Sequence, residues 1–509
     1  MLLQLSASLF FLFCLPVLFF FFIASSRANN NKNKLNPASL PKSYPLIGSY
    51  LDITANFNRR IQWLSDILKI SPSETFTLHR PLGHRTVITG NPAVVQHILK
   101  TNFPIYQKGH VFRGALGDIL GSGIFNADGD TWKFQRQVAS HEFNTKSLRN
   151  FIEHVVDAEL NDRLIPILAT AAAKGQILDL EDILQRFAFD NICKIAFGFD
   201  PEYLSPSLEQ SKFAQAFEEA IEISSRRLNR AVPLIWQILR LFNLGSEKRL
   251  KKAVSEVREF AKNIVREKKR ELSEKSCLES VDMLSRFLSS GHSDEEFVAD
   301  IVISFILAGK DTTSAALTWF FWLLWKNPKE EEEIVKEIRE TSEAPAYDEV
   351  KEMVYTQAAL SESMRLYPPV PLDTKEAVGD DVLPDGTVVK KGMRVTYHVY
   401  AMGRLEKLWG GDWEEYKPER WLERNERREE KKWRFVNRDS YSFPVFQAGP
   451  RICLGKEMAY LQMKRVVAGV LRRFRVVPTI AEGVEPEFIS FLTSKMKGGF
   501  PVRIQERDA

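Results

Sequence analysis

A cysteine inside a glycine-bearing turn is the feature of this chain that most directly predicts chemistry. The segment FQAGPRICLG, Phe446 to Gly455, places Cys453 just before the helical pattern KEMAYLQMKRVVAGVLRRF. A thiolate that faces the N-terminus of a helix is stabilised by free backbone N–H groups and by the helix dipole, which suits it to donate to a metal. Gly449 and Gly455 would let the backbone approach a flat cofactor closely. The turn therefore predicts a thiolate metal ligand at Cys453.

A second candidate site lies in the long apolar segment SDEEFVADIVISFILAGKDTTSAALTWFFWLLWKNP. The residues from Ala308 to Thr313 combine a helix-weakening glycine with hydroxyl groups, and threonine side chains can bond back to the preceding carbonyl and open a local groove. A plain helix kink is the alternative explanation for this composition. Beside the cysteine turn, the pattern indicates a place where a small reactant could sit.

These two sites need elements to hold them. Ser293 and Glu296 predict a capping box at the start of the long segment, and a helix that ends at Asn327-Pro328 would be roughly 50 Å long at about 1.5 Å per residue. Such a helix must be central. Asp300, Lys310 and Asp311 interrupt its apolar run and disfavour a transmembrane interpretation.

The cysteine turn, with Phe-x-x-Gly-x-Arg-x-Cys-x-Gly, resembles the haem-binding loop of the cytochrome P-450 superfamily. The resemblance implies haem b as cofactor, Cys453 as the axial iron ligand, Phe446 beside its sulfur and Arg451 on a haem propionate. It also implies that Trp132 and Arg136, four residues apart in WKFQR, form a second propionate contact. Lys375 stands where relatives commonly have a propionate-binding arginine, and keeps the charge without the guanidinium fork.

The long segment resembles the oxygen-binding helix of the same superfamily. This implies that Thr312 takes part in oxygen activation and that Asp311 helps to relay protons from solvent. ESMR and YKPERW together resemble the superfamily's Glu-Arg-Arg triad, which implies a structural network of Glu362, Arg365 and Arg420.

The pattern of elements predicts a mainly α protein with small β-sheets. The resemblance implies the cytochrome P-450 fold, a triangular helical prism around a buried haem. Alternation predicts strands within Thr75 to Thr89 and Asp381 to Tyr400, and helical patterns dominate between Pro92 and about Leu366. We expect three parts: a membrane anchor at 1–26, an Asn/Lys/Pro-rich tether at 27–49 and a haem-thiolate monooxygenase domain at 50–509.

The N-terminal segment has no charged side chain from Leu2 to Ser26 and is long enough to span a bilayer. Arg27, Lys32 and Lys34 follow it, so the positive-inside rule predicts a cytosolic body on a single-pass anchor. A cleaved signal peptide is the alternative. Together with the superfamily resemblance, this predicts an enzyme of the endoplasmic reticulum membrane.

Composition narrows the classes of partner. The 509 residues carry a net charge of only +4, too small to imply nucleic-acid binding. Four cysteines lie far apart and do not suggest a disulfide framework; Cys193 and Cys277 are interpreted as small buried hydrophobic residues. No dinucleotide or Walker fingerprint is present, so we expect electrons from NADPH to arrive through a membrane-bound P-450 reductase. A basic docking face is expected at Lys133, Lys456, Lys464 and Arg465.

At finer grain, VISFILAGKDTTSAALTWFFWLL and VTYHVYAMGR look like the plant fatty-acid omega-hydroxylase clan, in the branch that includes jasmonoyl-amino-acid hydroxylases. The resemblance implies a monooxygenase that uses O2 to hydroxylate long-chain fatty acids, or a related lipid acid, at or near the terminal carbon. Apolar lining is expected from Phe112, Leu116, Leu120, Phe125, Val370 and Leu372. Candidate carboxylate anchors are Lys108, His110 and Arg113.

Three alternatives stay open at this point. One is a hydroxylase of jasmonoyl-amino-acid conjugates. Another is a haem-thiolate isomerase that needs no oxygen, although such enzymes tend to lose the acid-alcohol pair kept here as Asp311-Thr312. A haem-binding electron carrier without substrate turnover comes from a different class.

Overall fold

Helices dominate the architecture. The computed structural model describes residues 39–230, 232–274, 282–291, 294–424, 433–481 and 483–507, so the expected anchor at 1–26 lies outside the described residues. The helices of the N-terminal half are α1 Tyr50–Ala55, α2 Arg60–Ile70, α3 Pro92–Gln96, α4 Gly109–Leu120, α5 Gly129–Ser140, α6 Thr145–Asn150, α7 Asp157–Glu159, α8 Ile165–Lys174, α9 Leu180–Phe197, α10 Lys212–Asn229, α11 Leu234–Leu241 and α12 Gly245–Glu274. The later helices are α13 Met283–Ser289, α14 Glu295–Lys326, α15 Pro328–Arg339, α16 Tyr347–Glu352, α17 Val354–Leu366, α18 Val399–Met402, α19 Glu406–Trp409 and α20 Lys456–Arg473.

The strands are short and gather mainly in one five-stranded sheet of order β1-β2-β8-β5-β3. Its members are β1 Thr75–His79, β2 Arg85–Thr89, β3 Tyr106–Gln107, β5 Asp373–Ala377 and β8 Arg394–Tyr397. Smaller sheets are formed by β4 Ile177–Asp179, β6 Asp381–Val382, β7 Val388–Val389, β9 Leu422–Arg424, β10 Trp433–Phe435, β11 Phe474–Pro478, β12 Phe488–Ser490, β13 Ser494–Met496 and β14 Pro501–Glu506. The strand predictions are confirmed, except that the last predicted residues, from Val399, begin a helix.

The central helix α14 confirms the prediction of one long core helix. It runs for 32 residues, about 48 Å at 1.5 Å per residue, and is continuously buried from Val298 to Leu307. Its length and hydropathy would allow it to cross a membrane, but 83% of its apolar window is buried inside the protein. It is therefore a core helix.

The start of α14 differs in detail from the predicted capping box. Asp294 is the N-cap, and its side chain accepts a hydrogen bond from the backbone N–H of Glu296. Ser293 lies outside the described residues. An aspartate caps as well as a serine and adds negative charge at the positive end of the helix dipole, so Asp294 satisfies the same need one residue later.

Two hydrophobic clusters share α14 and so fix its position. The larger cluster packs the second half of α14, including Trp319 and Phe320, against α17 and α20. The other joins Phe305 and Leu307 of its first half to α4, α9, α10 and α12. The larger cluster thus holds α20, which follows the cysteine turn, against α14, which carries Thr312.

Candidate active site

The cysteine turn is built from two short 3-10 turns, Pro444–Phe446 and Gly449–Arg451, ahead of α20. The backbone N–H of Cys453 donates to the Phe446 carbonyl at 2.8 Å, which closes the turn. Gly449 has a φ of 63°, and a Cβ there would lie 2.1 Å from the Leu99 carbonyl oxygen. Glycine is therefore required at this position by its positive φ and by the nearby Leu99 backbone, whereas the sequence argument expected close approach to a cofactor.

The Cys453 side chain is accessible although it lies within the fold. Its surface exposure places it among the exposed residues, yet burial raises the pKa of its thiol. The two observations agree if the sulfur faces a sheltered internal cleft, because such a group borders a small space inside the protein but contacts little bulk water. The backbone N–H of Gly455 and the charges of Arg136 and Lys456 act in the opposite direction and lower the pKa. These groups favour the thiolate.

Arg451, Trp132 and Arg136 are brought together beside the thiol. The guanidinium of Arg451 lies 4.5 Å from the centre of the Trp132 ring, and its Nη2 donates to the carboxylate of Asp128 at 2.7 Å. Arg136 is close enough to the Cys453 sulfur for their charges to interact. The short sequence patterns thus identified residues of the cysteine turn and of α5 that lie next to each other in the structure.

Lys375 is fully buried and sits in a polar cluster that the sequence did not reveal. Its Nζ donates to Asp373 at 2.7 Å, and Lys108 Nζ lies 3.4 Å from the other oxygen of the same carboxylate. Tyr397 and Gln447 also donate to Asp373, each at 3.1 Å. Burial alone would raise the pKa of Asp373, but the charges of the two lysines hold it well below its usual range.

The charges around the cleft fit haem. Arg136, Arg451, Lys375 and Lys108 outnumber the nearby carboxylates of Asp128 and Asp373 by two, which is the charge of two haem carboxylates. Desolvation lowers the pKa of Lys108 to about 7. A further carboxylate would favour its protonated form, because an opposite charge stabilises a buried ammonium.

The Thr312 segment of α14 faces an internal space. From Val298 to Leu324 every residue of this helix is buried except Ala308, Gly309 and Thr312. Since the helix lies in the core, their partial accessibility means that they border a cleft. The Thr312 hydroxyl donates to the Ala308 carbonyl at 2.6 Å, as the predicted back-bonding requires.

Asp311 is buried and already paired. Its carboxylate accepts from Lys310 Nζ at 2.5 Å, and both side chains are at most 5% exposed. Lys495 on β13 also interacts with Asp311 and pairs with Glu218 of α10 at 2.9 Å. Apart from the adjacency of Lys310 and Asp311, no sequence pattern indicates that these four side chains meet.

Glu362, Arg365 and Arg420 meet as the resemblance implied. Arg365 donates to both oxygens of Glu362, at 2.8 and 2.7 Å, and Arg420 Nε donates to it at 3.2 Å. Trp421 Nε1 is a further donor at 2.9 Å. Glu362 and Arg365 have fully buried side chains, so this network lies in the core and not at the cleft.

Comparison with known proteins decides the family. The family profile described as Cytochrome P450 matches residues 38–500. The chain belongs to the cytochrome P450 family. It is 70% identical over 474 residues to Cytochrome P450 94A1 of Vicia sativa, covering 93% of this chain and 92% of that protein. It is also 62% identical to Cytochrome P450 94A2 of the same plant, covering 97% of each, and 47% identical to Cytochrome P450 94B1 of Arabidopsis thaliana, covering 97% and 96%.

The predicted superfamily and its plant clan are thereby confirmed, as are the mainly helical cytochrome P450 fold with small sheets and the monooxygenase class. The family carries a haem-thiolate iron cofactor, and its oxygen chemistry draws NADPH electrons from a reductase. Membership disfavours the sequence alternative of an electron carrier without turnover.

The expected basic docking face is wrong for two of its four residues. Lys464 and Arg465 are 2% and 1% exposed, since α20 turns them into the core. Lys464 donates to the Lys351 carbonyl and Arg465 to the Asp157 carboxylate. Lys133 remains exposed and Lys456 half-buried. An amphipathic pattern cannot distinguish a solvated lysine from one whose charge is met by a buried acceptor.

Of the six residues expected to form the apolar lining, Val370 is half-buried and Leu372 packs against the larger cluster. The other four divide into two groups. Leu116 and Leu120 are fully buried core residues, whereas Phe112 and Phe125 pack at the edge of the same cluster. Leu454, next to Cys453, borders that cluster as well. The cluster therefore links α14, α4 and the cysteine turn by apolar contacts.

Proposed function

We propose that this cytochrome P450 hydroxylates long-chain fatty acids at or near the terminal carbon, with O2 and with NADPH electrons delivered by a membrane-bound flavoprotein reductase. The observation that carries the proposal is the apolar cluster that reaches from Phe112 and Phe125 past Phe305 to Leu454. It places hydrocarbon contacts between the Thr312 helix and the cysteine turn, and an apolar lining suits an alkyl chain.

Haem, when bound, supplies the oxygen activation and C–H oxidation. In this proposal Cys453 would hold the haem iron through its thiolate, and Phe446 supports the turn through the 2.8 Å bond from the Cys453 N–H and through its ring, 5.2 Å from that of Tyr460. Arg451, Arg136, Lys375 and the buried Trp132 would hold the carboxylates of the cofactor.

Thr312 and Asp311 are the proposed proton-handling residues. Thr312 borders the cleft and can exchange its bond to the Ala308 carbonyl for one to a reactant. Asp311 would carry protons from the charged group of Lys310, Glu218 and Lys495 behind it. To move a proton to the cleft, the Asp311 carboxylate must rotate away from Lys310. The ion pair therefore defines the position of Asp311 between proton transfers.

The chain's own contribution to selectivity is positioning. Terminal C–H bonds are harder to break than their neighbours, so the cleft must limit which carbon reaches the reactive centre. Jasmonoyl-amino-acid conjugates are the second candidate substrates. They are shorter acids that carry an amino-acid headgroup, and their hydrocarbon part would make fewer contacts with the apolar cluster.

We further propose that residues 1–26 anchor the protein in the endoplasmic reticulum membrane, with 27–49 as tether and 50–509 as the cytosolic catalytic domain. The described part of the chain presents an exposed apolar surface on α11 and the residues after it, formed by Leu234, Ile238, Leu241, Phe242 and Leu244. Exposed apolar groups of this size are typical of membrane or partner contact.

Turnover assays test the proposal. The full-length protein, in membranes with a plant P450 reductase and NADPH, should convert hexadecanoic or octadecanoic acid to terminal hydroxy acids faster than it converts a jasmonoyl-isoleucine conjugate. The activity should sediment with membranes and depend on residues 1–26 for doing so. Faster turnover of the conjugate would replace the fatty-acid proposal, and NADPH-driven turnover of neither would refute both.

A further inference from the structure

Four charged side chains from three elements meet beside Thr312. Lys310 and Asp311 are neighbours on α14, and the ammonium lies 2.5 Å from the carboxylate. Glu218 of α10 and Lys495 of β13 form a second ion pair, with 2.9 Å between their charged groups. The group therefore contains two positive and two negative charges in two separate pairs.

The two ion pairs lie close enough to act on each other. The Nζ of Lys310 lies 5.5 Å from the ring centre of Phe217, the residue before Glu218 on α10. Burial would raise the pKa of Glu218, but the charges of Lys495 and then of Lys310 lower it below its ordinary value. Burial would likewise lower the pKa of Lys495, but the charges of Glu218 and then of Asp311 raise it. Each ammonium is therefore attracted by both carboxylates.

The two pairs differ in their access to water. The side chains of Lys310 and Asp311 are 2% and 5% exposed, whereas those of Lys495 and Glu218 are 22% and 46% exposed. Separating a buried ion pair is strongly unfavourable when it leaves one charge without a partner. Asp311 can therefore rotate toward the cleft most easily if another carboxylate binds Lys310 in its place.

Glu218 is the acid best placed to bind Lys310. Glu181 of α9 also acts on Lys495, but its Oε1 accepts a hydrogen bond from the Met496 N–H at 3.1 Å. Glu218 follows the aromatic ring that Lys310 contacts, and its charge acts on both lysines. Its Oε1 binds Lys495, which leaves Oε2 for a second ammonium.

We propose that Glu218 binds Lys310 when the Asp311 carboxylate rotates toward the cleft, and that Glu218 is thereby a positioning residue for proton transfer. The exchange of partners keeps both ammonium groups paired, so no buried charge is left alone while Asp311 is turned toward Thr312. This inference rests on the proposed hydroxylation, in which Asp311 and Thr312 handle protons, and identifies the residue that allows Asp311 to move.

The test measures how much of the oxidised NADPH yields hydroxylated product. The full-length protein, in membranes with P450 reductase, receives hexadecanoic acid and NADPH, and the hydroxy acid formed is divided by the NADPH consumed. In Glu218→Gln, Lys310 has no second carboxylate and holds Asp311, so we expect this yield to fall about 10-fold. The solvent deuterium isotope effect on turnover should increase. The Kd of the acid, titrated through the Soret shift, should stay within about 2-fold.

A second substitution distinguishes this positioning role from a purely structural one. Lys310→Gln removes the ammonium that holds Asp311, so Asp311 can rotate without a substitute partner for Lys310. We therefore expect Glu218→Gln to change the product yield by less than about 2-fold when it is introduced into Lys310→Gln, because the two residues act through one interaction.

The matched control is Glu219→Gln, which removes the next acid on α10. Glu219 is paired with the exposed Arg249 at 2.6 Å, and its loss should leave yield, isotope effect and affinity unchanged. Each variant is first checked for its reduced carbon-monoxide spectrum. If Glu218→Gln fails to load haem, Glu218→Asp replaces it. Its carboxylate is one methylene shorter, so the yield should fall in the wild-type background and not in Lys310→Gln.

The outcomes separate the role of Glu218 from the function on which it rests. A wild-type yield in Glu218→Gln, equal losses with and without Lys310, or an equal loss in Glu219→Gln would overturn the role, while wild-type fatty-acid turnover upheld the function. If the wild type oxidises only a jasmonoyl conjugate, the fatty-acid proposal fails and the same yields are measured with the conjugate. A wild type that oxidises neither would overturn the function and the role of Glu218 with it.

Discussion

At the scale of single residues, the buried ion pair of Lys310 and Asp311 is the least expected feature of the cleft. The 2.5 Å contact holds the carboxylate of Asp311 on a neighbouring ammonium, away from the accessible surface of Thr312. Lys310 also lies 5.5 Å from the Phe217 ring. The ion pair with Lys310 therefore restrains the position of Asp311, the proposed proton carrier.

We predict that Asp311→Asn lowers the rate of hydroxylation by about 10²-fold or more, because general acid-base groups contribute on that order. Reduced carbon-monoxide binding should be unaffected, and the solvent deuterium isotope effect on turnover should increase. Glu296→Gln is the control, because Glu296 is an exposed acid on the same helix. Wild-type turnover in Asp311→Asn would remove this residue from the proton pathway.

At the scale of elements, the network around Glu362 joins α17 to the segment that precedes the cysteine turn. Arg365 donates to the carbonyls of Trp413 and Glu415 as well as to Glu362, so a single side chain ties a helix to an irregular stretch. The carbonyls of such a stretch need donors once they are buried. The network therefore supports the turn from outside the cleft.

Glu362→Gln should destabilise the fold by about 3–5 kcal/mol, because it leaves buried guanidiniums without an opposite charge. The expected readouts are a lower thermal unfolding midpoint and faster loss of haem. Glu423→Gln, which removes an exposed acid paired with Arg434, should change stability by about 0.5 kcal/mol or less. Similar unfolding midpoints for the two variants would contradict a structural role for Glu362.

At the scale of the whole molecule, the sequence predicted those site residues that lie close together along the chain in a short pattern. Cys453, Arg451 and Gly449 share one turn, and Trp132 and Arg136 share one helix face, so short patterns identified them. The anchor at 1–26 and the Asn/Lys/Pro-rich tether at 27–49 were predicted from composition, and of these only residues 39–49 are described by the structure.

Groups assembled from distant segments could not be predicted in the same way. Lys495 and Glu218 lie far from Asp311 in the sequence and come near it only in the folded protein, from β13 and α10. Asp373 meets Lys108 for the same kind of reason. The burial of Lys464 depends on acceptors supplied by other helices, which no pattern within α20 records.

The measurement that tests the central claim most directly is the reduced carbon-monoxide difference spectrum of the haem-loaded protein beside its Cys453→Ala and Cys193→Ala variants. Cys193 is fully buried in the core and is the matched control. The account predicts a thiolate-type Soret band in the wild type and in Cys193→Ala, and its loss in Cys453→Ala. A thiolate-type band that survives in Cys453→Ala, or is missing from the haem-loaded wild type, would contradict the assignment of Cys453 as the iron ligand.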